Sequence, residues 1–130
     1  MGDRGNIGIV QPGGKDTLFL YSHWGGSELP KTLQNALARQ LRWDDPTYLA
    51  RIIFCEMVKG QEDGETGFGI SSRITDNEHP VLIVNCRNQV VRIRNYNWYA
   101  NRFSPGNLLT MTFNAFCHQE DISWAKLGFE

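Results

Sequence analysis

The chain has 130 residues, 41% of them hydrophobic and 21% charged, with a formal net charge of -1. That length suits one domain with a core of its own, needing neither disulfide nor metal to hold it. The balanced charge and ordinary hydrophobicity exclude the basic excess of a general nucleic-acid binder and the composition of a disordered chain. Cys55, Cys86 and Cys117 are widely spaced and include no C-x-x-C pair, so a reducing cytosol is the natural setting. The first residues lack an apolar leader, Asn6 stands where a myristoylation signal wants Ser or Thr, and no apolar run could span a bilayer. The expectation is therefore a cytoplasmic protein with no membrane partner.

In chain order, Ile7 to Gln11 and Thr17 to His23 read as a β-hairpin about Pro12-Gly13-Gly14-Lys15-Asp16. After Gly25-Gly26, Ser27 is expected to cap a helix whose buried face is Leu29, Leu33, Ala36, Leu37 and Leu41, with Pro30 in its first turn. A second helix begins with Asp45 as N-cap and Pro46 as N1, carries Leu49, Ile52, Ile53 and Met57 on one stripe, and stops at Gly60. The acidic, glycine-punctuated run from Gln61 to Thr66 is a loop that leads to a short strand over Gly67 to Ser71. Pro80 to Cys86 and Gln89 to Arg94 form a second hairpin about Arg87-Asn88, and Val81-Leu82-Ile83-Val84, apolar on both faces, predicts a central strand. Past Asn95 the pattern loosens. Leu109, Met111, Phe113 and Ala115 alternate while Thr112 can cap a helix, so a short strand followed by a short helix is expected. The sum is an α+β fold, one small domain over 1–130, with a mainly antiparallel sheet of about five strands against two central helices and a short C-terminal helix. Its core is expected within about 7–94, with 95–130 an aromatic-rich extension.

The chemistry concentrates where the strand ending in Tyr21-Ser22-His23-Trp24 meets Gly25-Gly26 and a helix start. Glycines let backbone approach a ligand, and a helix start offers N–H groups to an anion. Alternation puts Tyr21 and His23 on one face, and Trp24 can stack on a planar ring, although tryptophan in a small domain is usually core. The junction lacks G-x-G-x-x-G and G-K-[ST], and Glu28 in the first helical turn opposes an anion docked there. Phe68, between Gly67 and Gly69, is a second glycine-flanked aromatic that reads equally well as a ligand contact or a strand entry. Arg42 and Arg51 flank the helix–helix turn with Asp44 and Asp45, where surface pairing is the ordinary fate of such charges. Arg92 and Arg94 share a strand face within Arg87 to Arg102. No acid occurs from Val81 through Gln119, and Tyr96, Trp98 and Tyr99 are interleaved. Four clustered cations would bind nucleic acid weakly, so nucleic acid is not the expected partner. Neither Asp44-Asp45 nor Cys117-His118 makes a metal cage, and no metal or cofactor is expected.

The run Tyr21-Ser22-His23-Trp24-Gly25-Gly26, with Leu29-Pro30, Asp44-Asp45, Tyr48 to Ile53 and Gly67 to Ser71, resembles a family of small uncharacterised proteins of bacteriophages and their bacterial hosts, over roughly Ile7 to Arg94. The resemblance carries no catalytic residues. It implies an accessory protein in the host cytosol, of a kind that often blocks host defence, in some families by sequestering nucleotide immune signals. The functional expectation is a module that binds a small anionic or nucleotide-like ligand through Tyr21, His23, Trp24, Gly25, Gly26, Arg42, Arg51, Phe68, Arg92 and Arg94. Two alternatives stay open: a small hydrolase or lyase using His23 as acid or base, and a protein-interaction module anchored on Trp98, Tyr99 and Phe103. A homo-oligomer is also among the expected partners, because a domain this small can need a second copy to enclose a ligand.

Overall fold

The computed structural model describes residues 2–129. Strands β1 (Gly5–Val10) and β2 (Thr17–Ser22) lead through a 3₁₀ turn (Gly26–Glu28) to helices α1 (Leu29–Leu37) and α2 (Pro46–Met57). Then come β3 (Phe68–Ser71), β4 (Val81–Asn85), β5 (Val90–Arg94), β6 (Tyr96–Asn97), β7 (Arg102–Phe103), β8 (Leu109–Thr112) and α3 (Phe113–Cys117). One sheet has six strands in the order β3-β2-β1-β4-β5-β8, and β6 and β7 form a separate two-stranded ribbon. Neighbours in the large sheet are antiparallel except β1 and β4, which run parallel. The architecture is the small α+β fold that the patterning predicts, with β8 as a sixth strand.

Both sheet faces are covered. Ile7, Ile9, Leu20, Leu82, Val84, Val91 and Ile93 pack against Leu29, Leu33, Leu37, Leu49 and Ile53 of the two helices in the main core. On the opposite face Phe19, Ile74, Val81 and Ile83 form a smaller cluster, closed by Val10, Tyr96 and Phe103. Burial on two sides is why β4 reads as an unbroken apolar run. The residues after Arg94 take part in both layers: Phe103 and Tyr96 cover the second face, while Phe113, Phe116, Trp124 and Leu127 enter the main core. The core therefore extends well past residue 94.

Local capping sets the two later helix starts. The Asp45 carboxylate accepts from the Thr47 and Tyr48 amides with Pro46 behind it, and Thr112 Oγ1 accepts from the Ala115 amide. α1 departs from expectation at both ends. Ser27 lies in the 3₁₀ turn and caps nothing, and the helix stops at Leu37, leaving Leu41 46% exposed. The Leu37 carbonyl accepts from the Gln40 amide and from the Trp43 indole N–H, each at 3.0 Å, so the acceptor that a continuing helix would offer to the Leu41 amide is taken twice. Gln40 and Arg42 then adopt left-handed backbone, at φ 56° and 58°.

Trp124 locks the C-terminal residues into this frame. It is 2% exposed, stacks parallel to His79 with centroids 5.9 Å apart, and donates its indole N–H to the Gly26 carbonyl at 2.9 Å. Trp124→Ala should lower unfolding free energy by about 3–5 kcal/mol in urea denaturation. A loss below about 1 kcal/mol would mean that the residues after α3 add little to the core.

Candidate functional site

Alternation along β2 divides the residues of the strand–glycine junction between two faces. Leu18 and Leu20 pack against the main core and Phe19 belongs to the opposite cluster, so Ser22 points toward the helices and Tyr21 away from them. His23 leaves the strand and stays on the Tyr21 side, where the phenol hydroxyl meets its Nδ1 at 2.6 Å. Burial, then the nearby Asp76 carboxylate, pushes the Tyr21 pKa up, so the phenol stays protonated, and which of the two groups donates follows from the His23 tautomer. Arg4 pairs with Asp76 at 3.1 Å and with Glu78 at 3.2 Å beside them.

On the helix side a cleft of about 270 Å³ opens at the end of the sheet. Trp24, Phe68, Leu29 and Met57 supply its apolar walls, and Ser22, Thr32, Gln61 and Glu28 its polar groups. Glu28, the residue just before α1, and Thr32 in its first turn form one side, and Met57 at the end of α2 with Gln61 in the loop beyond it forms the other. Trp24 is 57% exposed, and its indole lies over Gly67 with the His23 ring against it edge-on at 4.8 Å. A Cβ at Gly67 would come within 2.7 Å of Trp24 Cζ3, and φ there is +103°, so only glycine leaves room for the indole and accepts the backbone angle. The ring is held below and at one edge while much of its surface stays open. Ser22 is 2% exposed, and its Oγ accepts from the Gly25 amide at 3.0 Å, which leaves the hydroxyl proton to donate. Among the described residues the lining holds one carboxylate, Glu28, and no basic side chain.

The helix start behind the glycines is already occupied by the protein's own carboxylate. Asp3 Oδ2 accepts from the Ser27 amide at 3.0 Å and from the Ser27 hydroxyl, and the Asp3 carbonyl accepts from the Gly26 amide at 2.7 Å. The N–H groups expected to receive an external anion are thus satisfied internally. Gly26 itself is buried, and a Cβ there would come within 2.7 Å of the Asp3 carbonyl oxygen and of His79 Cδ2. It is a close-packing glycine. Ser27, Asp3 and His79 contact one another with the carboxylate between hydroxyl and imidazole, an order that lacks the nucleophile–base contact of a catalytic triad.

Of the residues singled out from the sequence, Trp24, Gly25 and Phe68 line the cleft, and Tyr21 and His23 adjoin one another on the other side. The arginines are not gathered there. Arg42 lies past the far end of α1 with its guanidinium 4.6 Å from the Tyr48 ring centroid rather than paired with Asp45, and Arg51 is exposed on α2. Arg92 and Arg94 stand on β5, three strands from β2. Ser22, Thr32, Met57 and Gln61 were not selected as contacts from the sequence, because they come from a strand, two helices and a loop that only the fold brings together. Burial, then Asp45 and Asp44, raises the Cys86 thiol to about 11, so it stays protonated. Among the described residues no group of three or more His, Cys, Asp or Glu is placed to hold a metal ion, and no helix is long and apolar enough to cross a membrane. Compared with protein-family models, curated proteins and solved structures, the chain matches none.

Burial alone would raise the Asp3 pKa, but hydrogen bonds from Ser27 and His79 outweigh it and hold the group below its ordinary 3.8. A depressed carboxylate stabilises the fold above its unfolded pKa, and that contribution is lost as pH falls through the folded value. Asp3→Ala should cost about 1–2 kcal/mol at neutral pH, a figure discounted for partial exposure. The difference from wild type should close below about pH 4 in denaturation curves. A gap that persists at lower pH would show that the ionised carboxylate is not what fixes the loop.

Proposed function

We propose that the protein is a binding module that captures a small, ring-bearing, nucleoside-like ligand in the Trp24 cleft without transforming it. The observation that carries this reading is the indole of Trp24, exposed yet held over Gly67 at the mouth of a cleft with Phe68 in its wall. A heterocyclic base offers a π face to such a ring, a contact worth about 1–3 kcal/mol. The Ser22 hydroxyl, Thr32 and Gln61 suit the polar edge of a base, and the Glu28 carboxylate suits a sugar diol or an amino group.

Size and charge narrow the ligand. Drug-sized sites usually enclose about 300–1,000 Å³, so a cleft of about 270 Å³ favours one base and one sugar over a dinucleotide. With a carboxylate and no cation in the lining, a phosphate on such a ligand points outward into solvent. Capture without turnover agrees with His23 lying outside the cleft, its Nδ1 taken by Tyr21. It would also suit an accessory protein of the kind that the resemblance of the Tyr21-to-Gly26 run implies, because withholding a small signal from its receptor needs affinity alone.

Calorimetry against nucleosides, nucleoside monophosphates and nicotinamide derivatives tests this directly. Trp24→Ala should weaken binding by about tenfold or more. Gly25→Ala should also weaken it, because the added methyl would come within 2.9 Å of Ser22 Oγ and displace a hydroxyl that lines the cleft. Absence of binding by every compound at millimolar concentration sinks the proposal, and fragments released from a bound compound would convert the module into an enzyme.

A further inference from the structure

The hairpin on the opposite face presents a surface that the cleft does not explain. Tyr96 and Phe103 lay β6 and β7 onto the sheet: their rings meet edge-on at 5.2 Å, Phe103 stacks on Phe19 at 6.2 Å, and Arg94 lies 4.8 Å over Phe103. With those two rings facing inward, alternation turns the paired Asn97 and Arg102 outward. The turn between them is pinned. The Ala100 amide donates to Asn97 Oδ1 at 2.9 Å, and the Tyr96 hydroxyl donates to Asn101 Oδ1 at 2.6 Å. Trp98 and Tyr99 nevertheless stand 51% and 98% exposed at its tip. A turn fixed by hydrogen bonds while its two largest rings face water is organised for a partner rather than for packing.

Beside this tip an open cleft of about 250 Å³ is lined by Arg73, Ile74, Thr75 and Asn101. Arg73 thus reaches the hairpin at Asn101, the neighbour of Arg102, from a distant part of the chain. Among the described residues neither guanidinium has a hydrogen-bond or ion-pair partner, while the nearby Asp76 and Glu78 are held by Arg4. Against the expectation from the charge count alone, we infer that the hairpin tip and the Arg73 cleft form a second, salt-sensitive binding surface for single-stranded nucleic acid, in which the exposed rings add what two cations do not supply. Adjacent exposed rings suit unstacked bases, which any sequence supplies, and the guanidiniums suit the phosphates between them. A duplex keeps its bases stacked and offers those rings nothing, and an acidic peptide would use the arginines alone.

Fluorescence anisotropy with a labelled oligothymidylate at low salt tests this with the intact chain. Binding is expected, weakened about tenfold by Trp98→Ala and by Tyr99→Ala. Arg73→Ala and Arg102→Ala should each flatten the log–log salt dependence by about 0.7. All four side chains are exposed, so unchanged thermal midpoints are expected. Trp24→Ala should leave this titration unaltered, which separates the hairpin from the nucleoside cleft. Failure of the wild type to bind, equal binding by Trp98→Ala, equal affinity for a duplex of the same sequence, or displacement by polyglutamate as readily as by unlabelled oligonucleotide would each overturn the inference.

Discussion

Asp3 determines the shape of the loop on which the cleft is built. Its amide donates to the His23 carbonyl, its carbonyl accepts from the Gly26 amide, and its carboxylate takes both the amide and the hydroxyl of Ser27. The loop has no regular structure of its own, so these bonds fix where β2 ends and where α1 begins. The carboxylate also does for the 3₁₀ turn that leads into α1 what an N-cap side chain does elsewhere, since it accepts from the second amide of that turn and Gly25 has no side chain to do so. His79 then buttresses Asp3 from the other side and stacks on Trp124, whose indole reaches Gly26. The N-terminal residues, the loop before β4 and the residues after α3 therefore converge on one glycine.

How much of this could be read in the sequence follows from how local each signal is. Asp45 and Thr112 cap the residues immediately after them, and both helix starts were legible for that reason. α1 was misjudged at both ends because its limits are imposed from outside its own span, by Asp3 at the start and by the Trp43 indole at the end. Leu41 continues the apolar period of Leu33 and Leu37, and periodicity alone cannot register a side chain that takes away a carbonyl. The stretch after Arg94 was underrated because short strands and isolated aromatics carry little periodic signal, although Trp124 and Phe113 are among the most deeply buried side chains.

The candidate site shows the same division more sharply. Strand alternation correctly joined Tyr21 to His23, and by the same rule it sent Ser22 to the other face, where the cleft lies. Trp24 reaches that face because the strand has already ended. Phe68 was visible as a glycine-flanked aromatic, and pairing of β3 with β2 sets it directly opposite Ser22. Glu28 and Thr32 meet Met57 and Gln61 only because α1 and α2 pack antiparallel, which brings the beginning of one helix to the end of the other. No feature within either helix announces that meeting.

A net charge of -1 conceals two surfaces of opposite character on the two sides of one sheet. Among the described residues, the helix-side cleft has Glu28 as its one charged group, whereas on the hairpin side the Arg73 and Arg102 guanidiniums have no hydrogen-bond or ion-pair partner and Asp76 and Glu78 pair with Arg4. Layers packed across a sheet are spaced about 10 Å apart, comparable with the distance over which physiological salt screens exposed charges, about 8 Å. Each proposed site would therefore meet its ligand through its own groups with little influence from the other. The two proposed sites would in this way place an uncharged ring system on one face of the sheet and a polyanion on the other.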